Sequence, residues 1–527
     1  MAEKNKNPVK TISLVMVLTL VGKILGLLRD RLMTVHYGSG METNAFLTAS
    51  QIPRVFFDAV FASAVAASFI PVFSEYVAKK GRREALDFSG NFITVISFLS
   101  LLLTVLGIVF TGPLVSLFAP GYDAQTAALC VSLTRVMFPT VLFTGIAYCF
   151  VGILQSFDEF NIPALISVIA NLVVILYYYT FNPKYGIYGL ACAFLIGWFV
   201  QAAMQVPSLI RKGFHYKPSL RMNSEGMKKV FALMIPVMVS TWVQPINLTI
   251  NTRFGSHLYN GTGVTAINLS NNLYLIIIGV FILSVTNVIF PRLSRLTAEN
   301  KAAQFRDTIS TTVHASMYFV VPMTAGLMVL ARPIISLIYG GGQFDAFSVS
   351  ITSQALTFAS LGMIGYALQA VLCRAYFARQ NGRVPLVAGL ASIAVNIVLC
   401  ILLTDTLGVK GLAIASAAAG TVNAIVLMIP LEVRKEGFLD RKFSLDFLKM
   451  VVATLVMAAV VWVLMRALDG LHPGKLWEAV TAAVPAAAGF IVYFAATSLA
   501  GLDEARTAAG IIKKRLRRSS DDSTRKG

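Results

Sequence analysis

Charge is what this sequence has least of. Only 13% of its 527 residues are Asp, Glu, Lys or Arg, while 56% are apolar and the mean hydropathy is +0.73. A water-soluble domain carries about a quarter charged residues, so too little polar surface remains here to cover a globule in water. Cysteine is sparse as well: Cys130, Cys149, Cys192, Cys373 and Cys400 all lie inside apolar runs, which argues against a disulfide framework. The five histidines are scattered with no ligand spacing such as H-E-x-x-H, so no metal site is expected. No Ser/His/Asp grouping, Walker-type P-loop or loop-borne acid cluster is visible, and the short loops leave no room for an ATPase domain. The expectation is a membrane protein that is not an enzyme and has no cofactor. Its work would then be driven by the membrane potential, a monovalent cation gradient or cargo flux. The first apolar run is long and ends in Arg29-Asp30-Arg31 rather than in a small-residue cleavage site, so no cleavable signal peptide is expected.

What the sequence has in abundance is long apolar runs. A helix crossing the hydrocarbon core needs about 20 mostly apolar residues. Fourteen candidates are readable, at 11–31, 44–73, 89–110, 127–153, 160–180, 186–208, 229–258, 262–291, 308–331, 350–378, 384–404, 408–431, 446–467 and 477–500. The second, seventh, eighth and tenth are long enough to tilt or bend. Pro53, Pro139, Pro236 and Pro245 fall within spans, where neighbouring helices must satisfy the freed backbone groups. The formal charge is +19, from 44 Lys and Arg against 25 Asp and Glu. In a soluble protein that excess would suggest nucleic acid; here it sets topology, and no nucleic-acid partner is expected. With the N-terminus inside and the spans alternating, 33 basic residues lie in or beside the inner segments, 5 in the outer loops and 6 within spans. That bias is the positive-inside pattern, with both termini cytoplasmic.

The chain also repeats itself. FIPVFSEY, with Pro71 and Ser74, is answered 220 residues later by IFPRLSRL, with Pro291 and Ser294. GPLVSLF (Pro113, Ser116) and RPIISLI (Pro333, Ser336) share that offset, and Pro163/Pro385, Gly186/Gly408 and Gly189/Gly411 are 222 apart. A common register across such landmarks marks an internal duplication. Six spans per copy is an even number, so the copies are parallel repeats, a transporter-like architecture with a site expected near the midplane. The expected domains are a six-helix lobe over 1–217, a second over 218–440, two appended helices over 441–502, and a basic cytoplasmic tail over 503–527.

Six basic residues lie within spans: Lys23, Arg29, Arg31, Arg54, Arg135 and Arg253. Each costs about 2.5–3.5 kcal/mol at a helix centre on insertion scales, so such residues face a bundle interior or a cavity, or else snorkel to an interface. Arg31, at the span edge, fits snorkelling. Arg135 precedes Met137-Phe138-Pro139, where a kink exposes carbonyls to it, and a structural role is as good a reading as a binding one. Arg253 follows Asn247 and Asn251 in a polar stripe at helical spacing and reads as cavity-facing. The acids are fewer. Asp30 adjoins Arg29, and Asp58 stands at i+4 from Arg54, where mutual neutralisation is the alternative to ligand binding. The balance is cationic, which suits an anionic cargo; Arg forks match phosphate oxygens better than a point charge does. Span asparagines, including Asn44, Asn171, Asn251, Asn272 and Asn396, add neutral polar groups, some of which serve to bond helix to helix.

KILGLLRDRLMTVHYGSGMETNAFLTASQIPRVF, continuing to ASFIPVFSEYVAKKG, strongly resembles the lipid II flippase MurJ (MviN) family of the multidrug/oligosaccharidyl-lipid/polysaccharide exporter superfamily. RAYFARQNGRVP and YGGGQFD look like it as well, and the likeness covers essentially the whole chain. The resemblance implies export of undecaprenyl-diphosphate-linked peptidoglycan precursor across the bacterial cytoplasmic membrane by alternating access. It also implies a groove for the lipid tail formed by the two appended helices. Its partners would be that lipid-linked precursor, membrane lipids and cell-wall synthesis machinery. Arg29 and Asp30 match the family's first-span Arg-Asp pair. Lys23 stands where many members have Arg, and Arg253 matches a basic position seen in part of the family. Three positions depart: Asn44 where Asp is common, Phe57 where Arg is common, and Asn272 where an Asp-Arg or Asn-Arg pair usually supplies a cavity arginine. The expected diphosphate site is therefore Lys23, Arg29, Asp30, Arg54 and Arg253, with Asn44, Arg135, Asn251 and Asn272 as secondary cavity positions. Arg253 is the residue placed to compensate for the missing eighth-span arginine. The rival readings are a flippase for another polyprenyl-diphosphate oligosaccharide, a cation-coupled drug exporter, which a cationic cavity disfavours, and a non-transporting scaffold for wall assembly.

Overall fold

The computed structural model describes residues 8–57, 63–434, 437–469, 471 and 474–506, with side chains left out at 8–13, 56–57, 63–67, 235–241, 280–281 and 283–288. Helices account for nearly all of it. The first half of the chain runs α1 (Pro8–Tyr37), α2 (Met41–Phe57), α3 (Ser63–Lys80), α4 (Arg82–Val109), α5 (Thr111–Phe118), α6 (Ala124–Met137), α7 (Thr140–Ser156), α8 (Asn161–Thr180), α9 (Asn182–Ala203) and α10 (Val206–Arg211). The second half runs α11 (Glu225–Thr241), α12 (Val243–Gly255), α13 (Thr262–Ala298), α14 (Ala302–Val329), α15 (Ala331–Tyr339), α16 (Ala346–Ser360), α17 (Gly362–Ala378), α18 (Arg383–Leu407) and α19 (Val409–Val433). Two further helices follow, α20 (Arg441–Leu468) and α21 (Lys475–Leu499).

The duplication is visible helix by helix. α4 and α14 both have 28 residues and start 220 positions apart. Each ends on a cap, Phe110 or Leu330, whose N–H still reaches back four residues, and a short helix restarts at once as α5 or α15. From α6 and α16 onward the offset is 222, through α7 and α17 to α8 and α18. Gly186 and Gly408, at φ 51° and 57°, hold equivalent left-handed positions that only glycine adopts without strain. Asp123 and Asp345 also correspond: each carboxylate accepts from backbone N–H groups just beyond it, Gln125 in the first copy and Ser348 in the second.

Among the described residues nine helices or merged helix pairs are long and apolar enough to span a membrane, or ten with α16 and α17 taken together across their 46° bend. These match ten of the fourteen expected spans. The four others, at α1, α2 with α3, α11 with α12, and α13, are the segments that carry most of the in-span basic residues, undescribed side chains, or both. Two helix breaks fall at or between in-span prolines, Pro139 for one and Pro236 and Pro245 for the other. α6 stops at Phe138 and α7 restarts after Pro139, and the seventh span breaks at Trp242. The surface is inverted relative to a soluble protein. Leu402, Leu455, Phe490 and Ile491 are exposed, whereas Thr48, Ser89, Thr144, Ser316 and Thr352 are buried. That pattern suits a lipid solvent.

The chain forms two compact units. The first comprises Met1–Leu269, Ile338–Ile351 and Asn396–Leu412, and the second comprises Ser270–Leu337, Thr352–Val395 and Ala413–Gly527. The cut falls within α13, and two short segments from later in the chain belong to the first unit. Within the first unit α1 lies along α8, α2 along α6, α4 along α7, and α3 along α11. Within the second, α14 packs on α17 and α20, and α20 pairs with α21. Tyr318 on α14 donates to or accepts from Thr497, and Tyr493 donates to the Tyr318 carbonyl, fastening α21 by buried polar bonds.

The α3–α11 contact ends in a cluster of ion pairs. Glu75 accepts from Lys79 at 2.9 Å and from Lys229 at 3.1 Å, while Glu225 meets Lys229 at 3.1 Å and Lys80 at 3.4 Å. Hydrogen bonds from Lys79 and Lys229 hold the Glu75 carboxyl below the ordinary glutamate range, and those from Lys229 and Lys80 do the same for Glu225. Because the folded values are depressed, this stabilisation is present above the ordinary glutamate value of 4.5 and is lost as the pH falls through the lowered ones. Glu75→Lys is therefore expected to lower the thermal midpoint of the purified protein at neutral pH, and Lys229→Glu added to it to recover part of the loss. The gap between wild type and Glu75→Gln should close as the pH is taken below about 4 in the same melting assay.

Candidate functional site

The site grows from the way α1 meets α8. Gly22 and Gly26 stand four residues apart on α1, a small-xxx-small spacing that lets two helices approach closely. A Cβ on Gly22 would fall 2.4 Å from Ser167 Oγ on α8, so a larger residue there would make that hydroxyl turn away. One turn further along α8, Asn171 donates from Nδ2 to the Gly22 carbonyl at 3.1 Å and to the Ser167 carbonyl at 2.9 Å. Its Oδ1 accepts from Arg29 Nη1 at 3.1 Å. Arg29 folds back onto its neighbour as well, donating from Nε at 3.0 Å and from Nη2 at 2.7 Å to Asp30 Oδ1. The Asp30 side chain is 9% exposed and that of Arg29 31%, so the guanidinium is partnered but remains accessible. Tyr178 and Tyr339 lie within electrostatic range of it.

The other sequence-predicted residues fall into separate surroundings. Lys23 is half-buried on α1, six residues and about 9 Å of helix rise before Arg29. Arg54 is exposed in the last turn of α2, and its expected partner Asp58 lies outside the described residues. Arg135 is exposed in the last turn of α6. Arg253 is exposed near the end of α12 and donates from Nη1 to the Leu117 carbonyl of α5 at 2.7 Å. Arg31 reaches the Ile338 carbonyl at 3.5 Å. Asn272 is half-buried on α13 in the second unit.

Two of the asparagines serve packing. Asn44 is fully buried, donating to the Ser39 carbonyl at 3.1 Å and accepting from Thr265 at 2.5 Å. Asn251 belongs to a neutral network: Asn396 Nδ2 donates to Asn247 Oδ1 at 3.1 Å and to Asn251 Oδ1 at 3.3 Å, and Cys400 Sγ lies 3.8 Å from Asn251 Oδ1. Buried amides that satisfy one another in this way hold helices together at little electrostatic cost.

Sequence reasoning did not single out Asn171, Tyr178 or Tyr339 as site residues. Asn171 was readable only as one interhelical asparagine among several, since its partners Arg29 and Gly22 are 142 and 149 residues away. The glycine spacing on α1 was the available signal for where that helix is approached most closely.

The family model described as "Lipid II flippase MurJ" matches residues 33–476 of this chain. A protein named "Probable lipid II flippase MurJ" from Buchnera aphidicola subsp. Acyrthosiphon pisum (strain APS) is 28% identical over 480 residues, 90% of this chain and 92% of its own. The "Lipid II flippase MurJ" of Burkholderia cenocepacia is 25% identical over 450 residues, 84% of this chain and 87% of its own. Among solved structures, one titled "Lipid II flippase MurJ, inward closed conformation" superposes with a TM-score of 0.76 at 24% identity, covering 92% of this chain and 98% of that one. An inward-facing multidrug resistance transporter of the MATE family is similar in fold, with a TM-score of 0.66 at 15% identity, covering 81% of this chain and 98% of its own.

Proposed function

The chain belongs to the lipid II flippase MurJ family, and from that premise we propose how it handles its cargo. It moves the undecaprenyl-diphosphate-linked peptidoglycan precursor from the inner to the outer leaflet, for cell wall synthesis. The observation that carries the reading is Arg29, set in an apolar helix, its guanidinium partnered by Asp30 and Asn171 and its side chain still 31% exposed. Its remaining N–H groups meet the diphosphate, the one part of the cargo that is both anionic and independent of sugar and peptide. Lys23, Arg54 and Arg253 supply further positive potential, and the pair of appended helices α20 and α21 accommodates the tail. No bond is made or broken. The site is exposed alternately to the two faces of the membrane, and the machinery that builds the wall consumes the exported precursor.

The driving force follows from charge. An inside-negative potential favours outward movement of an anion by about 2.3 kcal/mol per unit charge per 100 mV. Any arginine that moved with the cargo would cancel part of that gain, so a guanidinium fixed to its own helix preserves it. A monovalent cation gradient is the other source of drive. We place the chain in the bacterial cytoplasmic membrane with both termini inside, on the positive-inside bias.

Complementation of a conditional flippase-depleted strain, with lipid II exposure on the outer leaflet measured directly, tests the function. Wild type is expected to restore both. Arg29→Ala should abolish flipping at normal protein level, and Arg29→Lys should keep partial activity, because the charge survives and the fork does not. Growth of the Arg29→Ala strain at the wild-type rate would remove Arg29 from the cargo site.

Orientation is tested separately, by cysteine labelling in a background lacking the five native cysteines. Gly121 and Gly261 lie in the outer loops, but Cβ atoms there would fall 2.5 Å from the His257 backbone nitrogen and 2.9 Å from the Tyr122 ring respectively. The exposed residues Gln125 and Asp405 are the better outer reporters, and Glu84 the inner one. Cysteines at Gln125 and Asp405 should react with an impermeant thiol reagent in intact cells, and one at Glu84 only after the membrane is opened.

A further inference from the structure

We infer that Asn171 is a positioning residue for cargo recognition, holding the Arg29 guanidinium in the orientation in which it meets the diphosphate. The inference rests on the reading of Arg29 given above. Both amide protons of Asn171 are committed to backbone carbonyls, one on α1 at Gly22 and one on α8 at Ser167. That fixes the plane of the amide and leaves Oδ1 as its free acceptor; the flipped amide would set its oxygen against two carbonyls and its NH2 against a cation. Arg29 Nη1 fills that acceptor. Asp30 Oδ1 takes Nε and Nη2. Of the five N–H groups of a guanidinium, these bonds use three and leave two, one on each terminal nitrogen. A fork held from two sides presents that pair in a single direction, which is what bidentate recognition of phosphate oxygens needs.

Asp30 alone would not achieve this. Both bonds from Arg29 converge on its Oδ1, a pivot about which the guanidinium can swing. Asn171, reaching from another helix, removes that freedom, and its own position is set by the close approach that Gly22 and Gly26 permit. The cost of ordering a long side chain is thereby met on folding, so binding does not have to meet it again.

A role confined to joining α1 and α8 makes different predictions, and affinity measured in two backgrounds separates them. Purified full-length protein in nanodiscs is titrated with lipid II and with undecaprenyl diphosphate. Asn171→Ala is expected to weaken binding of both about tenfold, on the scale of one hydrogen bond to a charged group. In the Arg29→Lys background, where there is no fork to hold, the same change should cost less than about threefold. Asn171→Ser serves as the second variant should Asn171→Ala fold poorly. Its hydroxyl can still bond the carbonyl four residues back, as Thr180 does with Leu176, while its oxygen no longer reaches Arg29; it should show the same loss. Equal losses in the wild-type and Arg29→Lys backgrounds would overturn the inference in favour of helix joining, as would unchanged affinity in Asn171→Ser. Wild-type affinity in Arg29→Ala would instead overturn the cargo reading on which the inference rests.

Discussion

A guanidinium within an apolar helix is tolerable only when bonded partners offset much of its desolvation, and the meeting of α1 with α8 is arranged around that requirement. Arg29 cannot give up its charge to escape the cost of burial, as a carboxylate or lysine can. Its partners therefore have to be built in: one acid next to it in sequence, and one amide brought across from α8. The amide reaches it where α1 carries glycine at Gly22, whose carbonyl it bonds and whose missing side chain leaves room for the Ser167 hydroxyl. Packing, hydrogen bonding and charge are three descriptions of the same few residues.

The same constraint explains the uneven use of polar residues elsewhere. Where no charge has to be held, several buried hydroxyls are satisfied locally, as with Thr104, Thr144, Thr312 and Thr404, each donating to the carbonyl four residues earlier. Asparagines appear where a bond must cross between helices, at Asn44, Asn171 and Asn396. Each ties elements far apart in sequence without placing a formal charge in the apolar layer.

Ten of the fourteen spans, the common offset between the halves and the Arg29–Asp30 pair were legible in the sequence because each depends on a simple pattern. Run length identifies a span, a constant offset reveals a repeat, and an acid beside an arginine announces its own partner. What was not legible depends on three-dimensional proximity. That Asn171 grips Arg29 while Asn44 bonds Ser39 and Thr265 cannot be told from two asparagines in apolar runs. The exposed position of Arg135, and the Leu117 carbonyl that takes Arg253, are set by where helices cross and stop. The breaks were half legible. Pro139 marked the one after α6, whereas Trp242 and Leu361, at the breaks in the seventh and tenth spans, carry no conformational signature of their own.

The change of offset from 220 to 222 records where the two copies have grown apart. Helix starts are 220 apart for α4 with α14 and α5 with α15, and 222 apart from α6 with α16 to α8 with α18, so the two additional residues of the second copy lie between the start of α15 and the cap at Asp345. That stretch contains Gly341 and Gly342, at φ 109° and 58°, and Gln343, whose N–H bonds the Val35 carbonyl of α1 at 3.0 Å. The difference in length was absorbed without disturbing the helix that follows, since the capping aspartate kept its place before it in both copies. Length accumulated where a glycine turn could take it up, and the longer connection serves as a clasp on the end of α1. Duplicated halves can thus diverge in the connections between helices, acquiring new contacts there, while the helices themselves stay in register.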